Sequence, residues 1–282
     1  MLVSCIITTY NRPKLVGRAI ESVLGQSYSS IELIIIDDHS SELYDEVKKL
    51  YSANGKIRFH RNAKNLGLSA SRNEGIKLSN GKYVAFLDDD DVWLQDKLEK
   101  QVSFLEANKE FIGCSSSHIE SVSKKTIKIA KEVYRFEDNT GFNYLGPPSK
   151  LILKKDIAST TMFDEDAKHA EDWDFYLRIL KLGPVYIFAE PLIIYDTVHF
   201  GRMTTGFSSM TISQIKEKAH MTYKNRNLIG EQNFKMRLGE YFLTGIFHRK
   251  NIPTYFQQVL KEVGLATVVR VLKNKVKRSL AK

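Results

Sequence analysis

Only two cysteines occur in this chain, Cys5 and Cys114, and neither sits at metal-ligand spacing. Both lie in strand-like apolar runs, which reads as small core residues in a reducing compartment and excludes a disulfide framework or a zinc module. No apolar stretch approaches the ~18 residues of a membrane span. The best candidate, Val185 to Val198, is interrupted by Glu190, Pro191 and Asp196. The opening Met1-Leu-Val-Ser-Cys has no basic lead, so a cytoplasmic location is expected and a secretory signal is not. Also missing are the G-x-G-x-x-G turn and the G-x-x-x-x-G-K loop, the phosphate cradles of ordinary dinucleotide and P-loop proteins. There is no internal repeat and no low-complexity segment.

With 282 residues, 43% hydrophobic and 27% charged, the chain reads as soluble and globular, one large domain or one domain with a helical appendage. Its net charge of +9 has a local source. From Gly264 to Lys282, Arg270, Lys273, Lys275, Lys277, Arg278 and Lys282 occur without a single acid. Leu265, Val268, Val269, Leu272, Val276 and Leu280 recur there at helical spacing. Such a basic amphipathic helix fits a membrane surface bearing anionic lipid, and fits equally a last helix packed on the domain with a solvated basic face. Nucleic acid is not an expected partner, because zinc spacing, an aromatic RNP-like strand and a basic stripe in the first half are all absent.

Strand and helix patterns alternate from the first residue. Leu2 to Thr9 is a short apolar strand, and Asn11-Arg12-Pro13 opens a helix with apolar Leu15, Val16, Ala19, Ile20, Val23 and Leu24 on one face. Ile31 to Ile36 is nearly all apolar, as in parallel sheets covered on both sides. A helix from about Glu42 to Tyr51, a strand at Ile57 to His60, a helix at Ser69 to Leu78 and a strand at Tyr83 to Leu87 follow. This βαβαβαβ order predicts a Rossmann-like, doubly wound, mostly parallel α/β sheet. Next come a helix from Leu94 to Glu106, a strand from Phe111 to Ile119, and an alternating stretch from Thr126 to Arg135 expected as a small antiparallel ribbon. A strand at Lys150 to Lys154, a helix at Glu171 to Leu182, a strand at Val185 to Ala189 and an extended stretch to His199 complete this part. Beyond Gly206 the patterns are helical.

Two of the predicted parallel strands end in acids, at Asp37-Asp38 and at Asp88 to Asp91. Their tips would face one crevice beyond the carboxyl ends of the strands, where open α/β sheets bind ligands. Four carboxylates on one strand end need neutralising, and a hard cation such as Mg²⁺ or Mn²⁺, held by one or two of them together with substrate phosphates, suits the site. A solvated acidic turn is the plainer alternative. Glu171, Asp172 and Asp174 at a helix start likewise suit the positive end of its dipole.

Five blocks taken together resemble a known family. Ser4-Cys-Ile-Ile-Thr-Thr-Tyr10-Asn-Arg12, Ile34-Ile-Ile-Asp37-Asp38-His-Ser40, Asn65-Leu-Gly67-Leu-Ser-Ala-Ser-Arg72-Asn73-Glu-Gly75-Ile76, Phe86-Leu-Asp88-Asp-Asp90-Asp-Val-Trp93 and Glu171-Asp172-Trp-Asp174-Phe-Tyr-Leu-Arg178 stand in the order and spacing of the family 2 inverting glycosyltransferases of the GT-A fold. The resemblance covers roughly the first 200 residues. It implies that Thr8, Tyr10 and Asp37 grip a nucleotide base, usually uracil, with Arg12 and Arg72 contributing and Asp88 on the ribose and sugar side. Asp90 would be the metal ligand of the DxD motif, for Mn²⁺ or Mg²⁺. Phe86 and Trp93 fix the register of the frame Phe-Leu-Asp-x-Asp-Asp-x-Trp, so Asp89, on the same nucleotide-binding tip, falls at the variable position, where a solvated turn acid is expected. Asp172 would be the general base, with Glu171, Pro148 and Ser149 shaping the acceptor and sugar side. His199 would touch metal or phosphate and Arg202 phosphate.

The function so implied is metal-dependent, inverting transfer of a sugar from a UDP-sugar donor to a glycan hydroxyl, giving a β-linkage. A lipid-linked acceptor in bacterial O-antigen or capsule synthesis is the leading expectation, with the protein peripheral on the inner face of the plasma membrane. A homodimer is compatible with this pattern. The expected division is a catalytic domain at 1–205, with a nucleotide-binding half at 1–110 and an acceptor half at 111–205, then a helical region at 206–282. Two rivals are a haloacid dehalogenase-like phosphatase, on the single motif Asp88-x-Asp90-x-Val92, and a non-catalytic nucleotide-sugar-binding subunit.

Overall fold

The computed structural model describes residues 1–41, 44–198, 209–244, 246 and 251–280. They form two compact units, the first made of Met1–Asn139, Tyr144–Asp166 and Asp172–His199, the second of Thr140–Asn143, Ala167–Glu171 and Phe200–Lys282.

The first unit runs β1 (Val3–Thr9), α1 (Pro13–Leu24), β2 (Ile31–Asp37), α2 (Asp45–Tyr51), β3 (Ile57–Arg61), α3 (Leu68–Leu78), β4 (Tyr83–Asp88), β5 (Val92–Trp93), α4 (Lys97–Ala107), β6 (Gly113–Glu120), β7 (Val133–Tyr134), α5 (Phe136–Asn139), β8 (Ile152–Lys154), α6 (Lys155–Thr161), α7 (Glu171–Leu180) and β9 (Val185–Tyr195). The strands make one sheet in the order β3-β2-β1-β4-β8-β6-β9-β5, with β7 added on β9. Strands β1 to β4 are mutually parallel and β6 is parallel to β9, while β8, β5 and β7 run antiparallel to their neighbours. The expected doubly wound, mostly parallel α/β sheet is therefore present. Its physical cause is visible in the central strands, which are buried on both faces because their residues are apolar at nearly every position.

Alternate residues of each strand feed two cores. Cys5, Ile7, Leu33 and Ala85 pack with Val16 and Ile20 of α1 and Leu98 and Val102 of α4. On the other side Ile6, Ile34, Ile36 and Phe86 pack with Ile76 of α3 and Phe175, Tyr176 and Ile179 of α7. Each such side chain contributes about 1.5–3 kcal/mol of burial, so a one-residue slip in any central strand would exchange the two faces at large cost.

Several elements differ from the sequence-based expectation. Val92 and Trp93 pair with Ile194 and Ile193, and Leu94 N–H still bonds to Leu192 C=O, so the helix expected from Leu94 begins at Lys97. The ribbon expected over Thr126 to Arg135 reduces to a bridge between Ile119 and Thr126 and the two-residue β7. Strand β9 continues through Pro191, which is tolerated because β6 shifts register against it at Ser116 and Ser117.

The second unit carries α8 (Ile212–Lys218), α9 (His220–Lys224), α10 (Arg226–Leu243), α11 (Ile252–Val263) and α12 (Leu265–Leu280). Helix α8 opens with a capping box between Thr211 and Gln214. Phe242, Val259, Val263, Val268 and Val271 are buried within this unit.

Candidate functional site

Strand register assembles the site. Thr9 lies opposite Asp37 and Thr8 opposite Asp88, so the carboxyl ends of β2, β1 and β4 are level. The order of the parallel strands reverses at β1, with β2 and β3 laid down on one side and β4 on the other, which makes this edge the topological switch point of the sheet. The two turns leaving it each hold one residue in the left-handed region, Asn11 at φ 54° and His39 at φ 61°, types that tolerate it. They are tied together by Asn11 N–H donating to Ser40 Oγ at 2.8 Å and Ser41 N–H donating to Asn11 Oδ1 at 2.8 Å.

The acidic pair after β2 divides its labour. Asp38 accepts from Asn62 Nδ2, Leu66 N–H and Gly67 N–H, each at 2.8 Å, and so anchors the loop before α3. Asp37 accepts from Ser40 N–H through Oδ1, while its buried Oδ2 lies 3.4 Å from the Arg61 guanidinium and has no hydrogen bond among the described residues. Tyr10, half exposed just beyond β1, offers a ring at the mouth, whereas Thr8 is buried.

At the end of β4, Asp88 Oδ1 accepts from the buried Arg72 at 2.7 Å. The Arg72 guanidinium lies 5.3 Å from the Phe163 ring, which stacks on Phe175 of α7 at 4.0 Å. Ser149 supports the tip from behind: its Oγ accepts Asp88 N–H at 3.1 Å and its carbonyl accepts the Trp93 indole N–H at 2.8 Å. Pro148, beside it, is also buried.

Asp89 is a correction to the expected solvated turn acid. Its carboxylate is buried, accepting from Thr9 Oγ1 at 2.7 Å and from Arg12 Nη1 at 3.2 Å. Burial pushes it up to about 6, against the pull of the Thr9 hydroxyl and Arg12. Arg12 also reaches Asp90 Oδ2 at 3.2 Å, so it bridges two acids of the tip. Asp90 is raised by burial and by Asp88; Asp91 is raised by the same two causes, and its buried Oδ2 has no hydrogen-bond partner among the described residues.

Sequence reasoning did not find Tyr44, whose hydroxyl sits 2.8 Å from Thr9 Oγ1 and accepts Arg12 N–H at 2.9 Å. Nor did it find Asp196, whose N–H donates to Asp91 Oδ1 at 2.9 Å and whose carboxylate pairs with Arg18 at 3.6 Å. Neither residue stands in a recognisable motif; each reaches the tip only through the fold.

Of the acids on α7, Asp174 is buried and accepts from Arg178 Nε and Nη2 at 2.9 and 2.7 Å. Asp172 stays partly exposed and accepts Trp173 N–H at 2.7 Å, one helical turn before the Phe175 ring that packs against Phe86 of β4. Glu171 falls in the second unit. His199 and Arg202 lie outside the described residues.

The donor chemistry of the tip fits a hard divalent cation. Asp88, Asp89, Asp90, Asp91 and Asp196 outnumber the paired cations Arg12, Arg18 and Arg72, and burial together with the neighbouring acid charge raises Asp90 and Asp91. Among the described residues no three acidic, histidine or cysteine side chains converge as a complete ligand set. The fit is thus to one or two carboxylates completed by phosphate oxygens and water.

The doubly wound, mostly parallel α/β sheet, with acidic strand ends level at its switch point, has the GT-A fold of the solved structures it resembles. The chain belongs to glycosyl transferase family 2, whose model matches residues 4–163. It is 32% identical over 187 residues to an uncharacterized glycosyltransferase of Methanocaldococcus jannaschii, covering 64% of this chain and 64% of the relative. It is 31% identical over 188 residues to the UDP-Glc:alpha-D-GlcNAc-diphosphoundecaprenol beta-1,3-glucosyltransferase WfgD of Escherichia coli, covering 64% of this chain and 70% of that protein. Among solved structures, S. aureus TarS 1–349 in complex with UDP-GlcNAc superposes with a TM-score of 0.66 at 16% identity, over 97% of this chain and 80% of that one. The chain spans 64% of the length of the archaeal relative and 27% of a Rickettsia felis glycosyltransferase that it also matches. The phosphatase alternative rested on one motif, and that motif lies inside the matched span.

Proposed function

We propose that this protein transfers a sugar from a UDP-sugar to a hydroxyl of a lipid-linked glycan, with inversion at the anomeric carbon. The observation that carries the proposal is the register that levels Thr8, Thr9, Asp37 and Asp88 at one sheet edge, with Asp172 the partly exposed acid of the helix packed over β4. The name of WfgD, which states a UDP-sugar donor, a diphospholipid-linked acceptor and a β product, supports it.

In this scheme Tyr10 stacks on the base and the hydrogen-bond capacity left on Asp37 Oδ2 is met by the base imide. Arg72 holds Asp88 toward the ribose and sugar. Asp172 takes the proton of the acceptor hydroxyl as its oxygen attacks the anomeric carbon, and the bond from that carbon to the diphosphate oxygen breaks on the opposite face. Asp90, beside Asp88, would hold a Mg²⁺ or Mn²⁺ ion, which would supply Lewis-acid charge at the leaving diphosphate. Asp174 is unsuited to the proton transfer because Arg178 already occupies it.

Calorimetric titration with UDP, with and without Mn²⁺, tests the donor half on wild type and Asp90→Ala. Metal-dependent binding that disappears in the variant is expected, and UDP binding indifferent to metal and to Asp90 would sink the reading. Asp172→Asn is expected to keep UDP binding while transfer falls about 10²–10⁴-fold. Unchanged turnover would remove Asp172 from the mechanism.

A further inference from the structure

Helix α12 has two apolar faces, and the second unit uses one of them. Val268 and Val271 are buried, and α12 passes α10 so closely that a Cβ added at Gly239 would stand 3.0 Å from Val271 Cγ2. At about 100° per residue, Leu265, Val269, Leu272 and Val276 form a separate row beside that face. Leu265, Val269 and Val276 are 64%, 42% and 60% exposed, and Leu272 between them is partly buried.

Arg270 and Lys273 border this row on the side away from α10, and both are exposed. Among the described residues neither has an ion-pair partner, whereas Lys275 on the inner side faces Glu240 at 3.9 Å. No acid occurs from Gly264 to Lys282. A helix facing only water would carry polar residues where these three aliphatics stand. Two-fold pairing with a second copy through the same row would bring Arg270 and Lys273 against their own counterparts. Aliphatic side chains flanked by unpaired cations match the boundary of an anionic bilayer, with the aliphatics at the acyl edge and the cations among the headgroup phosphates. None of the described helices is long and apolar enough to cross a membrane, so the contact offered is a surface one.

We infer that α12 docks this protein on membranes containing anionic phospholipid through Leu265, Val269 and Val276, with Arg270 and Lys273 supplying the charge attraction. The inference stands on the second unit alone and does not depend on the transfer reaction.

The test is co-sedimentation of the full chain with vesicles of phosphatidylcholine alone or mixed with phosphatidylglycerol, without any glycan acceptor. Binding is expected only with the mixed vesicles and should weaken with salt. Arg270→Ser and Lys273→Ser should each weaken it about fivefold, the effect of about 1 kcal/mol per basic residue near the surface. Val269→Glu/Val276→Glu should abolish it while leaving the melting temperature unchanged, since both side chains face outward. Equal binding to both vesicle types, or binding unaffected by the double glutamate variant, overturns the inference. So does a dimer in solution that the double variant splits, because the row would then be covered by a second copy.

Discussion

Replacing Lys97 by methionine is expected to stabilise the protein at neutral and acid pH and to lose that advantage in alkali. Lys97 is fully buried at the start of α4, where its ammonium donates to Gln101 Oε1 at 2.6 Å and lies 4.2 Å from the Trp93 ring centroid. No carboxylate pairs with it among the described residues; the ionisable groups that act on it are the Cys114 and Cys5 thiols, and burial opposes their ionisation in turn. Burial therefore dominates and brings the amine down from 10.5 to about 7. That gap corresponds to about 5 kcal/mol, at 1.36 kcal/mol per pH unit.

The sign follows from proton counting. Between pH 7 and 10.5 the unfolded chain holds a proton that the folded protein has released, so stability rises with pH across that window. The destabilisation is complete below about pH 7 and gone above about pH 10.5. Methionine has similar volume and no charge, but forfeits the Gln101 bond and the ring contact, about 1–3 kcal/mol together. The variant should then be about 2–4 kcal/mol more stable near pH 6, with the difference shrinking by about 1.4 kcal/mol per pH unit above pH 7. Urea unfolding of both proteins near pH 6, 7.5 and 9 measures this, since groups common to both cancel in the difference. A difference that stays constant, or widens in alkali, would show that Lys97 remains charged in the folded protein and refute the reasoning.

The neighbouring acids Asp37 and Asp38 should separate function from stability. Asp38→Ala removes an acceptor shared by three donors and is expected to cost about 3 kcal/mol or more in a thermal melt, whereas Asp37→Ala should cost about 1–2 kcal/mol and end UDP binding in calorimetry. The reverse pattern would reassign the base contact to Asp38. Ser149→Ala leaves Asp88 N–H without its acceptor, so a loss of about 1 kcal/mol is expected together with slower transfer; unchanged turnover in a steady-state assay would detach Ser149 from the tip. Gly75→Ala places a Cβ 2.4 Å from Ile6 Cγ2, where α3 crosses β1. Overpacking of about 1–3 kcal/mol should outweigh the better helix propensity of alanine, and an unchanged or higher melting temperature would show that the helix can shift.

The strands and their acidic ends were legible because each depends on local sequence. A run such as Ile31 to Ile36 can only be covered on both faces, and a strand that ends in Asp37-Asp38 or Asp88 to Asp91 announces which end of the sheet holds the ligand. Asp89 was misread because strand alternation ends where β4 ends. In the turn that follows, its side chain is directed by Thr9 and Arg12, which lie 80 and 77 residues earlier in the chain. Tyr44 and Asp196 were missed for the same reason, as their roles exist only once the fold brings the connection after β2 to Thr9 and Arg12 and the end of β9 to Asp91.

The buried polar pair in α4 shows why such residues resist reading and why they are where they are. Leu98, Val102 and Leu105 mark the inner face of the helix, and lysine and glutamine beside them read by default as its solvated edge. The turn Pro148–Lys150, which brings Ser149 against Asp88 and Trp93, leaves the Lys150 carbonyl outside the strand ladder. Gln101 Nε2 donates to that carbonyl at 3.0 Å and to the Cys114 carbonyl at 3.4 Å, and its own oxygen is in turn satisfied by Lys97. An apolar residue at position 101 would strand the Lys150 carbonyl in the core, at about 1–3 kcal/mol. The polar residues beneath the tip thus follow from the turn that supports the tip, and the depressed Lys97 amine is the last link of that requirement.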